Sequence, residues 1–157
     1  MRTIETRIYR YEELDGFAQR KALVHFSDIN LDYDWWQPTY ETWREMSIVI
    51  KSFDLYKSEL ELDFTDRFVD IATSIISYFG EEHEGYKFAK DYLNAIENLT
   101  EDEIEDADAL FYADVKDSIL TWLEGEWEYL QSEEAVEETI ICNEIEFTKE
   151  GRVFDYE

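Results

Sequence analysis

A single helical period runs through "TEDEIEDADALFYADVKDSILTWLEGEWEYLQ", residues 100–131, with no proline and with glycine only at position 125. Thr100 and Glu103 have the spacing of a capping box, in which each side chain satisfies an amide at the start of a helix. The predicted helix continues to about Gln131 and spans about 45 Å at 1.5 Å per residue. An average helix has about 11–12 residues, so the remaining chain has to be arranged along this one. Its apolar stripe reads Ile104, Ala107, Phe111, Val115, Ser118, Trp122 and Tyr129.

On roughly the opposite side, positions 103, 106, 110, 114, 117, 121, 124 and 128 advance by threes and fours and form one ridge. Six are acids: Glu103, Asp106, Asp114, Asp117, Glu124 and Glu128. From Glu101 to Glu128 there are 11 acids and one base, Lys116, a net charge of −10. Over about 42 Å that is one negative charge per roughly 4 Å, against one per about 3.4 Å along a single DNA strand. The ridge lacks the lysines at i, i+4 that would turn repulsion into pairing. Leu120, Leu123 and Trp127 lie off the apolar stripe, so either the helix is buried on two sides or they form an apolar anchor beside the ridge. Trp127 joins the six acids as a candidate partner contact.

Around this helix the pattern predicts an α+β fold: a small antiparallel sheet built from both chain ends, packed by about five to six helices including the long acidic one. Thr3 to Tyr9 alternates like a half-buried strand. A helix follows with Asp15 as N-cap and Ala18, Ala22 and His25 at helical spacing, and a second is expected over Asp34 to Met46 with Pro38 in its first turn. "SIVIKSFDLYKSELELDF" reads as two antiparallel strands joined near Tyr56 to Ser58, with a bulge near Lys51 and Ser52 where the apolar phase changes. From Phe68 to Phe79 the period is helical, and Gly80 is placed for a left-handed C-cap. "HEGYKFAKDYLNAIENL" suggests a further helix. Ser132 to Asn143 reads as the last helix, and "EIEFTKEGRVFDYE" as two short strands turning at Glu150 and Gly151. No linker, repeat or low-complexity tract divides the chain, so residues 1–157 are expected to form a single domain.

Forty acids against 14 bases give a net charge of −26, whereas a magnitude of about 2–8 suffices to keep a small domain soluble. With 45% hydrophobic and 17% aromatic residues, the chain is no disordered acidic tail. Residues 68–157 carry 26 acids and 5 bases and hold most of the field. Such a field repels nucleic-acid phosphates and anionic lipid and attracts basic surfaces. The expected partner is therefore a basic protein, itself nucleic-acid-binding, with no direct nucleic acid or membrane contact. One cysteine, Cys142, forms no internal disulfide; with no apolar leader at the start of the sequence, a reducing cytoplasmic setting is expected.

Known chemical motifs find little support. Asn30, Asp32, Asp34 and Glu41 have the spacing of calcium-loop ligands, but Trp35 stands where that loop needs glycine and Pro38 falls inside it, so the acids are read as turn and cap residues. His25 and His83 belong to no metal-ligand spacing. Cys142, on an apolar stripe in "TIICNE" without a basic activator, is expected to be an inert buried thiol. The five isolated glycines form no phosphate-wrapping loop, and among forty acids a carboxylate pair identifies nothing. No enzyme, cofactor or metal is expected.

The segments "YRYEELDGFAQRKAL", "YDWWQPTYE", "IKSFDLY" and "EYLQSEEAVEETIICNEIEFTKEGR" resemble a family of small acidic proteins common in phage and prophage genomes, over most of the chain. The resemblance implies a phage origin and carries no catalytic residue across. In composition and in its acidic long helix the sequence is similar to phage inhibitors that occupy nucleic-acid grooves in CRISPR, restriction or other defence proteins. The expected function is thus a non-enzymatic anti-defence inhibitor, a DNA mimic, in the host bacterial cytoplasm. The alternative is an antitoxin-like or adaptor module that binds through an apolar, aromatic patch.

Overall fold

The computed structural model describes residues 1–155, and the α+β class is observed. Its elements are β1 (Tyr9–Arg10), α1 (Gly16–His25), α2 (Gln37–Arg44), β2 (Ile48–Asp54), β3 (Glu59–Phe64), α3 (Phe68–Tyr78), α4 (Glu84–Ile96), α5 (Glu101–Leu130), α6 (Glu133–Cys142) and β4 (Glu146–Phe147). The chain gathers into two compact units. A terminal unit takes Met1–Trp35 and the chain from Glu126 onward, and a central unit takes Trp36–Gly125.

In the terminal unit both chain ends meet in an antiparallel ladder, Tyr9 opposite Phe147 and Arg10 opposite Glu146. The strand expected over Thr3 to Tyr9 is confined to its last residue and Arg10; Ile4 stands in solvent. Alternation specifies a strand only where one face meets a core, and residues 1–7 are exposed. Asp15 caps α1, its carboxylate accepting from the Ala18 amide at 2.8 Å. Ser132 caps α6, its hydroxyl accepting from the Ala135 amide at 3.2 Å. Ala18 and Ala22 of α1, Val136 and Ile140 of α6, Tyr11, Leu14 and Phe147 form the core. His25, expected on the same face as the two alanines, is exposed.

Gly151 makes the predicted turn. Its φ is +89°, and a Cβ there would lie 2.3 Å from the Ala18 carbonyl oxygen, so the turn seats backbone against α1 where only glycine fits. The second strand of that hairpin reduces to an isolated bridge between Val153 and Phe147. Tyr156 and Glu157, its expected end, lie outside the described residues.

The central unit holds a separate two-stranded sheet, β2 against β3, with a register shift between Ile50 and Ser52 where the bulge was expected. Helix α2 is shorter than Asp34–Met46 but keeps Pro38 in its first turn. Helix α3 buries Ile71, Ala72 and Ile75. Gly80 does not provide a left-handed cap; the helix ends at extended Phe79, whose amide donates to the Ile75 carbonyl at 2.9 Å. The Phe79 ring instead stacks on His83, centroids 3.8 Å apart, while His83 Nδ1 accepts from the Gly85 amide and caps α4. Trp43, fully buried, lies 5.5 Å from Phe79 and 5.6 Å from Trp122, ring centre to ring centre.

Candidate functional site

The apolar stripe of α5 is buried in its middle and half-buried at Ile104, Ala107 and Trp122. Phe111, Val115 and Ser118 are buried, and Ile119 and Leu123 widen the buried arc. Phe111 anchors it in the central unit, with Tyr92 stacked at 4.6 Å and Phe68 and Phe88 at 5.3 and 5.8 Å. Asp108, on the same side of the helix as Val115 and Ile119, accepts a 2.5 Å hydrogen bond from the Tyr92 hydroxyl of α4. Burial, then that bond and the carboxylate's charge, push the Tyr92 phenol well above its ordinary range. Asp108, half-buried, therefore fastens α4 to α5.

Opposite the buried arc the ridge stands in solvent. Glu103, Asp106, Asp117 and Glu124 of the central unit are exposed. Asp114 is half-buried, because its position on the helical wheel falls on the flank nearest Phe111 and Ser118. Its carboxyl is held above the usual carboxylate range, first by burial and then by the negative charges of Asp117, Asp91 and Glu84. The two positions on the ridge that are not acids, Leu110 and Thr121, are exposed as well.

In the terminal unit, Glu128 is exposed and Trp127 is 40% exposed. The Trp127 carbonyl accepts from the Gln131 side chain at 3.2 Å. Of the three residues off the stripe, Leu123 is fully buried and Leu120 half-buried, which leaves Trp127 as the exposed apolar side chain among them. Tyr129, expected on the buried stripe, is half exposed: its turn lies beyond Leu123, the last buried residue of α5.

Nine of the eleven acids between Glu101 and Glu128 are exposed, Asp108 and Asp114 being the exceptions. The ion pairs among the described residues are Arg10 with Glu144, Lys51 with Asp63 and Arg67 with Asp70. None involves α5. From Glu103 to Glu124 the ridge is thus a row of carboxylates, exposed except at Asp114, with no cation from the described residues in salt-bridge range; its acids follow one another by steps of three, eight, three and seven residues, about 4.5–12 Å along the helix.

Other candidate residues have structural duties. Asn30 lies in a 3₁₀ turn, Ile29–Leu31; its Oδ1 accepts from Thr139 at 2.6 Å and its Nδ2 donates to the Leu130 carbonyl at 2.8 Å. It locks that turn to the ends of α5 and α6. Glu41 belongs to α2, where its carbonyl accepts from the Glu45 amide. Cys142 corrects the expectation of a buried thiol: it is exposed. It lies two residues, or about 200° of helical turn, beyond buried Ile140, so the apolar look of "TIIC" overstated the width of the α6 stripe. No group of His, Cys, Asp and Glu among the described residues is arranged to hold a metal ion. No helix among them is long and apolar enough to cross a membrane.

Comparison with protein-family models, with curated proteins and with solved structures returned no match.

Proposed function

We propose that this protein is an anti-defence inhibitor of phage type, which binds a basic, nucleic-acid-binding host protein in the bacterial cytoplasm by presenting α5 carboxylates where phosphates would sit. The observation that carries this reading is the ridge Glu103, Asp106, Asp117 and Glu124, exposed and without an ion pair among the described residues. A row of like charges left unneutralised costs a few tenths of a kcal/mol per neighbouring pair. Mixed signs would serve solubility equally well, so the cost is accounted for by a partner that supplies the cations. Asp114 belongs to the same row; in the terminal unit Glu128 is exposed and Trp127 offers an apolar contact of the kind that dominates interface energies.

A CRISPR, restriction or similar defence complex has the required chemistry: a cationic groove that accepts a phosphate-like spacing and excludes its nucleic acid when filled. Association is expected to be fast through electrostatic steering and to weaken as salt rises. The test is affinity capture from host lysate, followed by equilibrium binding of the captured protein at several salt concentrations. Lysine at Glu103, Asp106, Asp117 and Glu124 should abolish binding while the fold is retained. Lysine at Glu12, Glu41, Glu59 and Glu97, exposed acids elsewhere with the same change in net charge, should weaken it far less. Binding that is flat with salt, or that the two variants weaken equally, would remove phosphate mimicry.

The exposure of Trp127 favours one second reading, an antitoxin-like or adaptor module that binds through apolar surface. Alanine at Trp127 would then reduce binding more than the ridge reversal does.

A further inference from the structure

Helix α1 presents an outer face unlike the rest of the surface. Phe17, Arg20, Lys21 and Val24 stand at i, i+3, i+4 and i+7 and therefore share one side of the helix. All four are exposed, Phe17 by 81% and Val24 by 71%. The inward side holds Ala18 and Ala22 in the core. With two cations and no acid, α1 is the only α-helix among the described residues that carries a net positive charge. It does so in a unit that holds 18 acids and 7 bases, net −11. Two large apolar side chains flanking two cations call for an acidic surface that also offers apolar contact.

The same unit contains such a surface. Helix α6 carries four acids and no base, and its outer row Glu134, Glu138 and Ile141 is exposed. Phe17 to Val24 and Glu134 to Ile141 are both seven-residue steps, about 10.5 Å along a helix. We propose that the outer face of α1 docks on the outer face of α6 in a second copy of this chain. Arg20 and Lys21 meet Glu134 and Glu138, and Ile141 meets Phe17 or Val24. The two helices share one core, Ala18 and Ala22 with Val136 and Ile140, so every copy brings both halves of the contact already formed. The pairing either closes into a two-fold dimer or continues from copy to copy.

A net charge of −26 opposes self-association, but that repulsion acts over long range. The Debye length falls from about 30 Å at 0.01 M salt to about 8 Å at 0.15 M, whereas contacting pairs are screened much less. Association therefore strengthens from low to physiological salt, the opposite of the salt dependence of the ridge. Four side chains on one helix cover less than the roughly 800 Å² per partner of a standard stable interface, so the contact is weak and concentration-dependent.

The test is sedimentation equilibrium of the full chain from about 5 to 500 μM, with zero-length carbodiimide cross-linking of a mixture of ¹⁴N- and ¹⁵N-labelled protein. The expected result is a monomer at 10 mM NaCl and a concentration-dependent rise in mass at 150 mM. Mixed-isotope peptides should join Lys21 to Glu134 or Glu138. Arg20→Glu with Lys21→Glu, and separately Phe17→Ser with Val24→Ser, should each weaken association at least tenfold without loss of helical circular dichroism. Lysine substitution of the ridge should leave it in place, so this contact and the ridge reading fail separately. A monomer at every concentration and salt, association that survives both α1 variants, or cross-links between copies elsewhere would overturn the proposal. So would α1 variants that lose a captured host protein while the chain stays monomeric, because the face would then belong to a different acidic partner.

Discussion

Asp114 shows how one side chain can report the cost of a surface. Its carboxyl is partly withdrawn from water and faces Asp117 on its own helix and Asp91 and Glu84 on α4, and all of these disfavour its charge. A carboxyl whose folded pKa lies above its unfolded value binds more protons folded than unfolded as pH rises out of the ordinary carboxylate range. Stability therefore falls through that interval, and the full cost persists at neutral pH. Asp114→Asn keeps the shape and removes the charge. Because the group is half in solvent, screening reduces the effect to a few tenths of a kcal/mol, roughly 1 °C in melting temperature. The gain should appear at pH 7 and vanish near pH 3, where the acid is protonated in both states. Thermal melts of both proteins across that range would measure it, and a loss of stability at pH 7 would mean that the carboxylate makes a favourable contact. The half-burial of Asp114 could not be read from the sequence, because a ridge drawn by threes and fours does not say how wide the buried arc beside it is. Cys142 departs from its expected burial for the same reason, whereas Tyr129 lies on the stripe but beyond its last buried turn.

Helix α5 carries charge where its own dipole disfavours it. Glu101, Asp102 and Glu103 in the first turn face the positive end, which stabilises acids, whereas Glu124, Glu126 and Glu128 approach the negative end with no base in the last turn. Glutamine at Glu126 and Glu128 should stabilise the protein by about 0.3–1 kcal/mol per residue, measured by urea unfolding at low ionic strength, with the gain shrinking at high salt. A destabilised double variant would show that these carboxylates hold the terminal unit together. What the sequence revealed at this scale was periodic. The helices, the β2–β3 hairpin, the bulge after Ile50, the Asp15 cap and the Gly151 turn each follow from a local pattern with a physical cause. The Phe79–His83 stack that ends α3, the Asn30 link to Leu130 and Thr139, and the Tyr92–Asp108 bond depend on side chains far apart in sequence or on ring geometry, which no period encodes. The ridge was legible as a row; that no described cation lies within salt-bridge range of it required coordinates.

Divided by unit, the charge leaves neither half of the molecule neutral. The central unit holds 22 acids and 7 bases, net −15, and the terminal unit is net −11, so each folds against its own repulsion. Attraction among the described residues does little to offset this. Their three ion pairs link side chains that are 43–83% exposed, and exposed pairs contribute about 0–1 kcal/mol each. Salt therefore has little attraction to weaken and much repulsion to screen. Raising NaCl from 10 to 500 mM should increase the melting temperature at pH 7 steadily. If screening returns about 1 kcal/mol, the shift is about 2–4 °C for a chain of this size. A monovalent chloride is the proper titrant, since sulfate would stabilise through exclusion from the surface and a divalent ion could bind carboxylates directly. Measuring at protein concentrations below the onset of association keeps self-association out of the result. The ridge variant with lysine at Glu103, Asp106, Asp117 and Glu124 changes the charge by +8 and should show a shallower salt response than wild type. If wild type instead melts lower as salt rises, attraction dominates its electrostatics, and the argument that the ridge is an unneutralised cost fails with it.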